Sequence, residues 1–176
     1  MHRTSKYLYT FQIWVAISLV IFTKSCNENK KIQTQFYEQM KKIEKTYIPD
    51  RTLSVFNITL NKINNKWVLS GETTDKNAFK RTIQFSDSLF GVNNVVNKIS
   101  LLPDSSLADS LFGIINVSVT PIREAPKHSS QMVDQTIMGN TIKLLKKQDD
   151  WYLIQTDYDY VGWINKASIS ITDTNG

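Results

Sequence analysis

The stretch that decides the fold is Trp151-Tyr152-Leu153-Ile154-Gln155, followed after a polar turn by Tyr160-Val161-Gly162-Trp163-Ile164. Similar short apolar runs precede it at residues 113–119 and 142–145. Turn residues separate these runs at intervals of roughly 8–12 residues, which is typical of small all-β barrels and sandwiches. The sequence therefore predicts an all-β domain over residues 113–170.

Several short motifs in this domain occur in the order and spacing of one known family. They are Ile122-Arg123-x-x-Pro126, Gly139-x-x-Ile142, Trp151-Tyr152-Leu153 and Gly162-Trp163-Ile164. In this combination the segment resembles a bacterial SH3-like domain, which implies a small barrel that binds cell-wall peptide or a protein partner. One departure is Pro121, two residues before Arg123, where the family usually has Asn. The conformation that the family's following loop adopts is therefore not assumed for this chain.

Two pairs of residues in the predicted barrel are candidates for ligand binding. Tyr158 and Tyr160 lie in a turn, where an aromatic has less core to reach, and we expect them to form an exposed platform for peptide or sugar. Arg123 and Glu124 lie in the first long loop, and we expect them to pair with the carboxylate and the amine of a peptide. For Arg123, a structural hydrogen bond to the loop backbone is an equal alternative.

The aromatic residues of the 151–155 run are predicted to divide between two faces. Trp151 points to one side of an extended strand and Tyr152 to the other. Because one face of a barrel strand fills the core, we expect one of these two side chains, and not both, to be interior. Trp163 is expected to pack.

The first 26 residues have the composition of a secretory signal. A basic start with Arg3 and Lys6 precedes an apolar run at 7–22, and a polar segment begins after Cys26. A bilayer span needs about 20 apolar residues, so a permanent membrane anchor is the weaker alternative. The Ser25-Cys26 junction resembles that of a bacterial lipoprotein, although Lys24 departs from its pattern. The resemblance implies a lipoprotein-type signal over residues 1–26 and acylation of Cys26; a secreted protein with an unmodified thiol is the remaining alternative.

Residues 27–103 predict a small α+β domain with the element order α-β-β-α-β. The first helix is indicated by apolar residues at helical spacing, namely Ile32, Phe36, Met40, Ile43 and Tyr47. Asn64-Asn65 supplies the turn of a β-hairpin. Thr74 or Asp75 is suited to cap a second helix, which Gly91 ends in a left-handed closing position. A third strand is predicted over residues 92–102.

The middle region also resembles a known envelope module. Trp67-Val68-Leu69-Ser70-Gly71-Glu72, the second helix and Gly91-Val92-Asn93-Asn94-Val95 follow the pattern of a BON domain, which implies membrane or lipid association without catalytic residues. Residues 104–112 are rich in Ser and Asp and are a predicted linker. Over residues 27–169 the whole order resembles the N-terminal, non-catalytic part of NlpC-type cell-wall peptidases of the Bacteroidetes type.

The residues that such a peptidase needs for catalysis are missing from the sequence. Hydrolysis requires a thiolate nucleophile, a histidine base and a group that orients the histidine. The chain has one cysteine, Cys26, and two histidines, His2 and His128, and only His128 lies outside the predicted signal. We therefore expect no enzymatic activity, no metal site and no cofactor. The acid pairs at 149–150 and at 157 and 159 are interpreted as turn residues.

The charge of the chain does not favour nucleic acid as a partner. Of the formal net charge of +5, three positive charges belong to Arg3, Lys6 and Lys24 of the predicted signal, and the small remainder forms no basic stripe.

The sequence thus predicts a non-catalytic lipoprotein of the cell envelope, held on a membrane leaflet through Cys26. Its SH3-like domain is expected to bind peptidoglycan peptide or a cell-wall hydrolase. One alternative is a truncated or split NlpC-type endopeptidase that lacks its catalytic domain. The other is a protein–protein adaptor without affinity for the wall.

Overall fold

A computed structural model describes residues 28–108 and 110–172 of the chain. Contacts between Cα atoms divide the chain into two compact units, Met1–Lys41 and Lys42–Gly176. The predicted signal over residues 1–26, including Cys26, lies outside the described residues. None of the helices in the described ranges is long and apolar enough to cross a membrane.

Helix α1 covers residues 28–47 and confirms the first predicted helix. Phe36, Met40 and Ile43, which recur at helical spacing, are all buried. The charged residues between them are mostly exposed, and Lys41 forms an ion pair with Glu38 at 3.1 Å. An apolar stripe on one face and solvated charges on the other are typical of a helix that is stabilised by packing.

A three-stranded sheet and a second helix follow, which confirms the predicted order α-β-β-α-β. The elements are β1 (Phe56–Ile63), β2 (Lys66–Thr73), α2 (Lys76–Phe90) and β3 (Val95–Leu101). The strand order is β1-β2-β3, with β1 and β2 antiparallel and β2 and β3 parallel. Asn64 and Asn65 both have positive φ, as the two central residues of a type I′ hairpin turn require. Helix α2 is the crossover that a parallel pair of strands needs.

Both ends of helix α2 are closed by the residues that the sequence indicated. The side chain of Asp75 accepts a hydrogen bond from the backbone N–H of Ala78 at 2.6 Å. At the other end Gly91 has φ 85 and ψ 150, so its φ is positive but its ψ lies outside the left-handed helical region that we expected. This conformation is open essentially to glycine alone.

Removal of the cap on α2 is expected to destabilise the protein moderately. Asp75→Ala leaves the N–H of Ala78 without its acceptor, and we expect the free energy of unfolding to fall by about 1 kcal/mol. Asp75→Asn is the matched control, because its side-chain oxygen still accepts this hydrogen bond. Urea denaturation followed by circular dichroism measures both. Equal losses in the two variants would contradict a capping role.

The second part of the structure is a seven-stranded antiparallel sheet. Its strands are β4 (Phe112–Ile115), β5 (Val119–Arg123), β6 (Met132–Ile137), β7 (Thr141–Gln148), β8 (Trp151–Gln155), β9 (Val161–Asn165) and β10 (Ile169–Thr172). Their order in the sheet is β10-β4-β7-β8-β9-β5-β6. This all-β part, which follows a small part of helices and strands, is consistent with the predicted α+β class and with an SH3-like domain.

The segment between the two sheets is short and contains one 3-10 turn, Ser105–Leu107. Leu107 is buried against the core of the seven-stranded sheet, and the N–H of Asp104 donates to the carbonyl of Leu145 at 2.7 Å. The predicted linker at 104–112 therefore includes residues that are packed on the sheet. The domain boundaries proposed from the sequence stay predictions.

Strand β8 is covered on both of its faces. Tyr152 and Ile154 lie in the core of the seven-stranded sheet, together with side chains from the strands around them. Trp151 and Leu153 belong to a second buried cluster, which also contains Val55, Leu102, Leu145 and Trp163.

The expectation that only one of Trp151 and Tyr152 is interior was therefore wrong. Their side chains are 7% and 6% exposed. Alternation places them on opposite faces of β8, as expected, but Val55 and Leu102 cover the face that was assumed to meet solvent. Trp163 is buried in the same cluster, which confirms its predicted packing role.

An ion pair borders this second cluster. Lys146 Nζ lies 2.7 Å from both carboxylate oxygens of Glu72, and the same ammonium lies 5.2 Å from the centroid of the Trp163 ring. Glu72 belongs to β2 and Lys146 to β7, so the pair links the two sheets. The cation is held by a carboxylate and an aromatic face together.

Candidate functional site

A cleft of about 340 Å³ lies between the segment that precedes β1 and the start of β9. Both the three-stranded and the seven-stranded parts of the second unit contribute to its walls. On the side of the three-stranded part it is lined by Arg51, Thr52, Ser54, Val55, Phe56, Asn57 and Glu72. On the side of the seven-stranded sheet it is lined by Glu124, Val133, Leu153, Tyr160, Val161, Gly162 and Trp163.

Hydrogen bonds hold the first wall against the seven-stranded sheet. The N–H of Val161 donates to the carbonyl of Thr52 at 2.7 Å, and Gln155 Nε2 donates to the carbonyl of Leu53 at 3.1 Å. Within the same segment, the Asp50 carboxylate accepts hydrogen bonds from both the N–H and the hydroxyl of Thr52, and these bonds lower the pKa of the Asp50 carboxyl. The segment at 50–53 is thus a fixed turn docked beside β9.

The second wall depends on a close approach of β9 to β5 that only glycine permits. A Cβ on Gly162 would overlap the side chain of Ile122 and would lie 3.2 Å from the carbonyl oxygen of Arg123. This explains physically why a glycine precedes Trp163 in the motif. Trp163 is paired with Arg123 across the two strands, and its buried ring forms part of the cleft wall.

Tyr160 contributes an aromatic side chain to the lining of the cleft. It is half-buried, and its backbone N–H donates to the hydroxyl of Thr156 at 2.9 Å. Its phenol lies 3.5 Å from the carbonyl of Val133. A tyrosine held in this way presents a rigid apolar ring with a polar tip, which suits the binding of a peptide or a sugar.

The charges that line the cleft differ in how they are neutralised. Arg51 forms an ion pair with Glu44, which lowers the pKa of that carboxyl through the hydrogen bond. Glu72 is paired with Lys146. Glu124 is exposed, and within residues 28–108 and 110–172 its carboxylate forms no ion pair. Glu124 is therefore the cleft charge that is open to a ligand.

Arg123 adopts the structural arrangement that was the alternative to ligand binding. Its Nη1 donates to the carbonyl of Ser130 at 2.7 Å, while the hydroxyl of Ser130 accepts from the N–H of Ala125 at 2.9 Å. Arg123 Nε is buried and has no hydrogen-bond partner among the described residues. The guanidinium thus ties together the two ends of the loop at 124–131; its predicted contact with a peptide carboxylate stays a prediction.

Loss of the hydrogen bond from Arg123 to the Ser130 carbonyl is expected to increase local opening of the loop without unfolding the protein. Arg123→Met keeps an apolar stem but removes a charged donor, and we expect amide exchange at 124–131 to accelerate roughly tenfold. Lys127→Met, an exposed substitution in the same loop, is the control and should leave the exchange rates unchanged. Hydrogen exchange followed by mass spectrometry resolves this segment. Unchanged rates in Arg123→Met would contradict the tie.

Tyr158 is not among the residues that line the cleft. Its side chain is 50% exposed, and its hydroxyl donates to Asp134 Oδ2 at 2.8 Å. Partial burial, and then this hydrogen bond, raise the pKa of the Tyr158 phenol. Of the four predicted binding residues, the structure brings Glu124 and Tyr160 to the cleft and places Arg123 beside it. A binding role for each of the four stays a prediction.

The acidic turn residues and His128, which were considered in the sequence analysis, lie in turns or pack against the protein. Asp149 and Asp159 lie in turns with positive φ, which confirms their interpretation as turn residues. The ring of His128 packs edge-on against Trp151 at 4.9 Å between centroids. In the described part of the chain, no group of three or more His, Cys, Asp or Glu side chains is arranged to hold a metal ion.

The family match that was found falls within the seven-stranded sheet. Residues 118–170 match the family model of the bacterial SH3 domain, which confirms the SH3-like resemblance within the segment at 113–170. The match does not extend to residues 27–103, so the BON-like resemblance and the NlpC-type context stay predictions. A search of curated proteins found no match.

Proposed function

We propose that this protein is a non-catalytic component of the cell envelope whose SH3-like domain binds the peptide part of peptidoglycan, or a cell-wall hydrolase that acts on it. Bacterial SH3 domains are often involved in cell-wall or protein binding. The cleft described above is the proposed binding site. The proposal includes no chemical step by this chain, and any hydrolysis is assigned to a partner.

The observation that carries the proposal is the meeting of Tyr160, Trp163 and Glu124 in one cleft. The half-buried ring of Tyr160 supplies contact area for a peptide or sugar, and the buried Trp163 forms part of the cleft wall. The exposed carboxylate of Glu124 supplies a charge for an amine. Polar and apolar side chains contribute about equally to the lining of the cleft, so both kinds of contact are available to a ligand.

The test is cosedimentation of the full chain with purified sacculi in a mild detergent. We expect binding by the unaltered protein at low salt, and its loss in Tyr160→Ala and Glu124→Gln. Tyr37→Ala is the control, because Tyr37 is an exposed tyrosine in the first unit. Failure of the unaltered protein to sediment with sacculi would remove wall binding. It would leave the adaptor role, which a pull-down with envelope proteins then tests.

We further propose that the chain is attached to a membrane leaflet by acylation of Cys26. The support is the sequence of the first 26 residues, with a basic start, an apolar run and a cysteine at the junction. Labelling of growing cells with a radioactive fatty acid tests it. We expect labelled protein from the unaltered sequence and none from Cys26→Ala; equal labelling of the two would overturn the proposal.

A split peptidase is the remaining alternative. In it, a separately encoded partner carries the catalytic domain and this chain carries the binding domain. If the catalytic domain is encoded separately, the coding sequence next to this one should specify a domain with a cysteine and two histidines. In that case the cleft would hold the enzyme or its substrate, and the same substitutions at Tyr160 and Glu124 would reduce hydrolysis by the reconstituted pair.

A further inference from the structure

The first wall of the cleft lies outside the segment that the family model covers. Its residues fall at positions 51–57 and at Glu72, whereas the family match covers residues 118–170. The second wall, with Glu124 and Tyr160, belongs to the matched domain. What the first wall binds therefore has to be derived from its own side chains.

The first wall carries side chains that donate hydrogen bonds. Arg51, Ser54 and Asn57 each have N–H or O–H groups and line the cleft. Ser54 is half-buried and Asn57 is exposed, and neither side chain has a hydrogen-bond partner in the part of the chain that the structure describes. The carboxylate of Glu72, in contrast, accepts from Lys146 with both of its oxygens. The groups of this wall that are open to a ligand are therefore mainly donors.

The guanidinium of Arg51 is held through one edge only. Its Nε donates to the carboxylate of Glu44. A guanidinium has five N–H donors, and those on Nη1 and Nη2 of Arg51 form no hydrogen bond within the described ranges. The side chain is 63% exposed. Glu44 thus orients the group while a second edge stays open, and a donor that is already oriented loses less entropy when it binds a ligand.

We propose that the first wall binds a carboxylate of the ligand, with Arg51 as the charged donor and Ser54 and Asn57 as neutral donors. The planar fork of a guanidinium matches a carboxylate, which accepts two parallel hydrogen bonds. Arg123, for which this role was predicted from the sequence, is not among the residues that line the cleft. The inference rests on the proposed binding of a peptide in the cleft, and it adds the chemical group that the first wall recognises.

The two walls together then fit a short peptide with two free ends. Arg51 on the first wall faces the requirement of a carboxylate, and Glu124 on the second wall that of an amine. The volume of about 340 Å³ lies near the lower end of the range for small-molecule sites, about 300–1,000 Å³, which suits a short peptide. A carboxyl group that is joined in an amide bond lacks the charge, so the cleft should prefer free carboxyl ends to cross-linked ones.

Capping of the carboxyl groups tests the inference on the isotopically labelled full chain in detergent. Soluble peptidoglycan fragments are used in two forms, untreated and with their carboxyls converted to methylamides, and amide shifts are followed by NMR. Untreated fragments should shift Ser54 and Gly162, and capping should weaken binding roughly tenfold, because a charged hydrogen bond is lost. Arg51→Gln should weaken binding of the untreated fragments by a similar factor and remove the difference between the two forms.

Three controls separate recognition of the carboxylate from a structural role of Arg51. Glu44→Gln removes the partner of Arg51 but keeps the guanidinium, so the preference for untreated fragments should be kept or increased. Lys66→Gln, at an exposed lysine of β2, should change nothing. Acetylation of the amines of the fragments should weaken binding equally in the unaltered chain and in Arg51→Gln, because it acts at Glu124.

The possible contrary results differ in what they overturn. Equal binding of the two forms, with shifts in the cleft, would overturn recognition of a carboxylate and leave the proposed peptide binding in place. A preference that survives in Arg51→Gln would assign the carboxylate to other residues and overturn the inference. Loss of the preference in Glu44→Gln as well would show that Arg51 only holds the turn. No shift in the cleft with either form would overturn the proposed function and this inference together.

Discussion

Gly71→Ala is expected to lower the free energy of unfolding by about 3 kcal/mol or more, because strain and overlap add at this position. Gly71 lies in β2 with φ +128, a conformation that residues with a side chain rarely adopt. A Cβ there would overlap the carbonyl oxygen of Asn57 on β1, and it would lie 3.1 Å from the Cα of Ile58. Because both obstacles are backbone atoms of a paired strand, relief requires movement of the hairpin.

Gly139→Ala is the control that separates strain from overlap. Gly139 also has a positive φ, +90, but a Cβ there would have no atom within 4 Å. We expect a loss of about 1 kcal/mol from its backbone conformation alone. Urea denaturation followed by circular dichroism measures both variants. Equal losses would contradict the claim that overlap with the backbone of β1 adds to the strain at Gly71.

Trp151→Ala is expected to destabilise the two sheets of the second unit together, by about 3–5 kcal/mol. The buried ring of Trp151 packs in a cluster with Val55 and Leu102, near the ends of the three-stranded part. Leu145 and Trp163 of the seven-stranded sheet complete the contact. Loss of the ring leaves a cavity that both parts share, so the stability of each should fall.

Hydrogen exchange in β1–β3 and in β7–β9 distinguishes a shared loss from a local one. Trp151→Ala should reduce protection in both groups of strands. Trp67→Ala is the comparison, because Trp67 is half-buried against Phe90 within the three-stranded part, and its effect should be smaller. Reduced protection in β7–β9 alone would show that the cluster does not couple the sheets.

Local features of the fold could be predicted because local sequence determines them. Asn64-Asn65 predicted a hairpin since both residues tolerate positive φ, and Asp75 predicted a helix start since its oxygen satisfies an N–H in the first turn. The spacing of Phe36, Met40 and Ile43 predicted the buried face of α1. These signals depend on neighbours within a few residues.

The burial of Trp151 could not be predicted, because it depends on residues that are distant in sequence. Alternation along β8 shows that Trp151 and Tyr152 face different sides, but it does not show what covers each side. The cover on the Trp151 side comes from Val55 and Leu102, which are distant in sequence. Contacts between the two sheets leave no periodic pattern in either segment.

The candidate site shows the same division between local and distant information. Glu124 and Tyr160 were suggested by their places in a loop and a turn. The wall at 51–57 was not, because the hydrogen bond between Val161 and Thr52 joins segments that carry no shared motif. For Arg123 both roles suit a guanidinium, and only its position 2.7 Å from the Ser130 carbonyl shows which contact it forms.

The most direct test of the central claim is to locate the ligand on the protein. Soluble peptidoglycan fragments are added to the isotopically labelled full chain in detergent, and amide chemical shifts are followed by NMR. Binding in the cleft predicts shifts at Thr52, Glu124 and Gly162, with the β1–β2 turn at 64–65 unchanged, and their loss in Tyr160→Ala. Saturable binding with shifts confined to other parts of the chain, or no shifts at millimolar fragment, would contradict the claim.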